Sequence, residues 1–195
     1  MLTVMIESLF AEKKISIGEL DAVAVSAGPG SYTGLRIGAS VTKGLCYALG
    51  KPLIAVPTLQ VVLESMYPSK LSKTSYYLAT IEAKKNQIYY ALFDTNQIKI
   101  IQTGFTELTS DFEKLLPEGE EILVGGTGSE ICKAFFSNNN MQFLLDGYPK
   151  AINMARESDN KFNLRKLEDI AYFEPDYLQN FVPKRPSGNV IFIKK

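Results

Sequence analysis

The sequence predicts a two-lobed protein of the α/β or α+β class, and three observations carry that prediction. Short Val- and Ala-rich apolar runs alternate with helical periodicity through the first 66 residues, the pattern of a parallel β-α-β unit. Beyond a polar, irregular stretch at 67–75, strand-like runs separated by brief turns change the pattern to a meander. Twice, at GPGSYTG (28–34) and GGTGS (125–129), a glycine-rich turn joins an apolar run to a helix. The change of pattern divides the chain into an N-terminal lobe, 1–70, and a C-terminal lobe, 71–195.

Residues 1–14 place Leu2, Met5, Ile6, Leu9 and Phe10 on one helical stripe closed by lysines. Ser16 is placed to cap a short turn through Leu20. DAVAVSA (21–27) reads as a buried strand, and LRIGASVTKGLCYALG (35–50) as a long helix with Gly50 as its stop. PLIAV (52–56) is a second buried strand, after which Thr58 caps a helix through about Met66. YYLATI (76–81) and QIYYALFD (87–94) flank EAKKN and form an antiparallel hairpin, which IKIIQTGFTEL (98–108) extends. TSDFEKLL (109–116) reads as a capped short helix and EILV (121–124) as a strand. A helix beginning near Glu130 ends at NNN (138–140). QFLLD (142–146) is a last short strand and KAINMARES (150–158) a helix, while LEDIAYF (167–173) fits helix and strand equally. The tail from Glu174 is aromatic, Pro-punctuated and basic.

Composition narrows the chemistry. The 195 residues are 46% hydrophobic and 22% charged, with 21 basic and 21 acidic side chains and a formal net charge of zero. Nothing in that balance advertises nucleic acid or an anionic membrane. Histidine is absent, which excludes a Ser-His-Asp or Cys-His arrangement and any His-ligated metal within this chain. Cys46 and Cys132 are too few for a zinc knuckle or disulfide framework and are expected as buried reduced thiols. No apolar run approaches the roughly 20 residues of a membrane span. No basic-then-apolar segment opens the chain, so a cytoplasmic protein without membrane contact is expected.

The strongest local signal is VAVSAGPGSYTGLRIG. Backbone N–H groups and the helix dipole converge at such a turn and can receive an anion. Its G-x-G-x-x-x-G spacing misses the dinucleotide fingerprint by one residue, and it lacks the lysine of a phosphate-cradling loop. The alternative is that Gly28 and Gly30 simply permit a tight strand-to-helix turn. Gly34 and Gly38 notch one helix face, with Thr42 a turn further on, and open it to a second helix, from this chain or another. Arg36 and Lys43, two turns apart, border an interface or a solvated face. GGTGS is a second corner with the same two readings. Glu82, Lys84 and Lys85 read as solvated hairpin charges, the carboxylates suggest no metal site, and Lys184, Arg185, Lys194 and Lys195 among Tyr177, Phe181 and Phe192 form a weak RNA-contact cluster.

The block AVAVSAGPGSYTGLRIGASVTKGLCYALGKPLIAVPTL resembles the signature of the TsaB (YeaZ) family, bacterial proteins required to make threonylcarbamoyladenosine in tRNA. The family motif GPGS-[FY]-TG-[LV]-RIG stands here as GPGSYTGLRIG, Gly28 to Gly38. TIEAKKNQIYYA (80–91), LVGGTGSE (123–130) and EPDYLQNFV (174–182) resemble three further family blocks in the same order. The resemblance implies a degenerate actin-like ATPase fold without chemistry of its own, in which the paralogous TsaD-type subunit carries ATP, metal and transfer. It implies a partner surface of Leu2, Met5, Ile6, Leu9, Tyr32, Leu35, Arg36, Ile37, Gly38 and Val41, beside a turn of Gly28, Pro29, Gly30, Ser31, Thr33 and Gly34. It implies no catalytic residue, no metal and no cofactor on this chain. Implied partners are the TsaD-type subunit, a TsaE-type ATPase, a second copy in a homodimer, and tRNA indirectly.

Three positions depart from the family: Glu82 for Asp, Asn86 for Gly, and Gln179 for Arg. Asn tolerates positive φ, so the hairpin turn is expected to survive. The family's first three strands, roughly 30 residues by ordinary strand and turn lengths, have no counterpart. Either Met1 is a misassigned start, or the bared strand edge is hidden by self-association. Two rivals stand beside this reading. One is a serine-type peptidase using Ser31 or Thr33 with Lys43 as base; the other is a nucleotide-binding, kinase-like lobe using the Gly28–Gly34 turn.

Overall fold

A computed structural model describes residues 2–67, 74–136 and 139–178. The chain folds around two sheets. The first pairs β1 (Val23–Ser26) in parallel with β2 (Leu53–Val56), in register from Val23 opposite Leu53 to Ser26 opposite Val56. Before it come α1 (Leu2–Lys13) and a 3-10 turn (Ile17–Glu19) held by a reciprocal Ser16–Glu19 capping box. Between the strands runs α2 (Tyr32–Leu49), which starts three residues earlier than the hydrophobic pattern indicates. The reason is Ser31, whose hydroxyl accepts the Gly34 N–H and so caps the helix ahead of its first apolar residue. Gly50 ends α2 in the left-handed conformation, φ 62°.

Every residue of β2 is buried, but in β1 only Val25 is. β1 therefore corrects the expectation of a buried strand: among the described residues only β2 flanks it. On one face, Leu35, Ala39, Thr42 and Cys46 of α2 turn inward, the i, i+4, i+7, i+11 repeat of a helix on a sheet, and Val25, Leu53, Ala55 and Phe173 join that core.

The second sheet has the order β5-β4-β3-β6-β7. β3 (Tyr76–Lys84), β4 (Gln87–Asp94) and β5 (Lys99–Glu107) form the expected antiparallel meander; β6 (Ile122–Gly126) and β7 (Met141–Leu144) add in parallel on the other side of β3. β3 runs further than its apolar core, so the hairpin loop shrinks to Lys85–Asn86, with Asn86 at φ 55°. Alternation assigns the two faces. Tyr77, Ala79, Ile81 and Phe93 meet Leu59, Val62, Leu63 and Met66 of α3 (Thr58–Met66). Leu78, Ile88, Leu92 and Val124 meet Phe112 of α4 (Ser110–Glu113), and Cys132 and Phe136 at α5 (Ser129–Phe135).

Helices are exchanged between the sheets. α3 comes from the N-terminal stretch yet fills the core under the second sheet. Conversely, α6 (Ala155–Asn163), which follows a 3-10 turn (Ala151–Met154), lays Phe162 with Met154 and Leu167 against Ile54, Val56 and Val61. Lys161 Nζ donates to the Ala55 carbonyl at 2.6 Å, satisfying the outer edge of β2. Arg156 joins the parts by bonding Glu64 of α3 and Gln97 at the β4–β5 turn, with its guanidinium over the Tyr67 ring at 5.9 Å. The stretch 167–173 is neither helix nor strand: Glu168 makes a single bridge to Leu53, and a turn follows.

Candidate partner-binding face

The glycine turn is the first place to ask what the site does. Gly28 is buried at φ 109°, and a Cβ there would stand 2.6 Å from the Asp176 carbonyl oxygen. Its N–H donates to Thr58 Oγ1 at 3.2 Å, its carbonyl accepts the Thr58 N–H at 2.8 Å, and Thr58 Oγ1 lies 2.5 Å from Ser26 Oγ. Thr58 thus serves this turn rather than capping α3, which has no side-chain cap. Pro29 is buried, Gly30 is half-buried against Leu35, and Thr33 and Gly34 are exposed. The chain itself closes the turn, and the tight-turn reading accounts for Gly28, whereas a Cβ on Gly30 would meet only Leu35 at 4.0 Å.

The second glycine corner resolves the same way. Thr80 Oγ1 donates to the Gly125 carbonyl at 2.8 Å, and the Glu82 N–H to Thr127 Oγ1 at 3.0 Å. The loop is pinned to β3 at both ends.

Both cysteines are buried, and burial raises both thiols; Cys132 is pushed up to about 12. They remain protonated structural groups. Among the described residues, no three His, Cys, Asp or Glu side chains converge as metal ligands, and no helix is long and apolar enough to cross a membrane.

The family-implied surface residues separate into three groups. Met5, Leu9 and Ile37 are 69%, 53% and 49% exposed and present apolar side chains outward from α1 and α2. Ile6 and Val41 line a groove of about 320 Å³ between these helices with Phe10, Ile17 and Leu45, and Leu2 is half-buried. Leu35, in contrast, is only 8% exposed. It turns inward onto Gly28 and Gly30, which removes it from the surface. Gly38 is a second correction: it faces β1, where a Cβ would stand in ordinary contact with Val25 Cγ2 at 3.5 Å, so this position of α2 packs on a strand of the same chain. The single stripe expected on α1 likewise divides, because Ile6 and Phe10 face α2 while Met5 and Leu9 face away.

Tyr32 and Arg36 act together. The Arg36 guanidinium donates to Tyr32 Oη at 3.1 Å and lies 5.5 Å from the ring centre. The Tyr32 ring meets Tyr177 at 5.1 Å, a contact sequence spacing could not reveal. Lys43 does not border this face: its ammonium donates to the Ala171 and Phe173 carbonyls at 2.9 and 3.0 Å. The S-x-x-K spacing of a serine–lysine pair occurs at Ser40–Lys43 and Ser158–Lys161, and in both the lysine is engaged by backbone carbonyls. Ser31 lies twelve residues from Lys43, about 18 Å along a helix, too far for a nucleophile–base pair. Gln179 and the basic cluster at 184–195 lie outside the described residues.

Comparison with known proteins agrees with the geometry. A family model described as "TsaD: tRNA N6-adenosine threonylcarbamoyltransferase" matches residues 1–180. The chain is 34% identical over 119 residues to the tRNA threonylcarbamoyladenosine biosynthesis protein TsaB of Buchnera aphidicola subsp. Acyrthosiphon pisum, covering 61% of this chain and 52% of that one. It thus spans about half the length of that relative. Against Escherichia coli TsaB it is 26% identical over 185 residues, 91% of this chain and 79% of that one. It is also 35% identical over 180 residues to a tRNA N6-adenosine threonylcarbamoyltransferase of Buchnera aphidicola subsp. Baizongia pistaciae, 85% of this chain and 53% of that one. The solved structure of YeaZ from Pseudomonas aeruginosa superposes with a TM-score of 0.75 at 21% identity, over 91% of this chain and 82% of that one. That structure shares the fold, and the family model matched over residues 1–180 places the chain in the TsaD-type family, where its TsaB relatives group it with the TsaB (YeaZ) proteins.

Proposed function

We propose that this chain is a non-catalytic scaffold subunit in threonylcarbamoyl transfer to the adenosine beside the anticodon of tRNAs reading A-starting codons. It binds and supports a TsaD-type catalytic subunit, which carries ATP and metal; a TsaE-type ATPase joins the assembly, and tRNA is met through the complex. A homodimer through the same surface is the competing assembly, and the cytoplasm is the working compartment. The observation that carries this reading is the outward display of Met5, Leu9 and Ile37 on two adjacent helices of a chain related to such transferases. Apolar side chains grouped on an exposed face in this way mark a site of protein–protein contact.

Co-expression with a TsaD-type subunit followed by sizing tests the reading. Ile37→Glu, at an exposed position, is expected to leave the fold intact and abolish the complex; an unchanged complex would overturn it. The peptidase rival loses its base at Lys43. The kinase-like rival requires tight ATP–magnesium binding by the isolated chain, which titration reads directly.

A further inference from the structure

We draw no further inference here: the strongest candidate, the outer edge of β1 in the first sheet, which only β2 flanks among the described residues, carries nothing because nothing in the structure shows what covers it.

Discussion

Gly126 and Thr80 approach so closely that a Cβ on Gly126 would stand 1.9 Å from the Thr80 carbonyl oxygen. Gly126 also sits at φ 99°, a conformation L side chains rarely adopt. Gly126→Ala therefore combines strain with a backbone clash at the C-terminal end of the β3–β6 pairing. It is expected to cost about 3 kcal/mol or more, measured by urea unfolding. A loss below about 1 kcal/mol would show that β6 relaxes away from β3 at little cost.

Ser31 caps α2 through the Gly34 N–H. Ser31→Ala is expected to lose about 1 kcal/mol of stability, and Ser31→Asn to recover most of it, since asparagine caps as well as serine. A nucleophilic role would be lost in both variants, so the asparagine variant separates capping from chemistry.

Burial holds the Cys132 thiol at about 12 against an ordinary 9.0. The folded state thus keeps a proton that the unfolded chain releases above pH 9, so ionisation drives unfolding there and nothing changes below it. This contribution to stability is intact up to about pH 9 and is lost as pH rises toward 12. Replacing Cys132 with alanine is expected to flatten that alkaline limb in pH-dependent urea melts. The same burial predicts no reaction of Cys132 with a thiol reagent at pH 8 until the protein unfolds.

Much of this architecture is legible in the residues. The Ser16 and Thr109 caps and the positive φ of Asn86 follow from neighbours within a few positions, and the β-α-β start and the meander from the period of their apolar residues. What is not legible depends on distant partners. The segment 167–173 has no clean period because its bonds go to Leu53 and Lys43, more than a hundred residues away. Leu35 belongs to the partner surface that the family resemblance implies, but the turn that buries it is made by Gly28 folding under Asp176. Thr58 looks like a helix cap until Ser26 and Gly28 claim its hydroxyl. The outward Met5, Leu9 and Ile37 were readable as apolar positions, whereas the pairing of Tyr32 with Tyr177 required the fold.

The trade of α3 for α6 makes the two halves mutually dependent. Each sheet is roofed by a helix that the other half of the gene encodes, so fragments cut near residue 70 would each bare an oily surface. Made separately they should clump, and made together they should find one another and dissolve as a nicked whole.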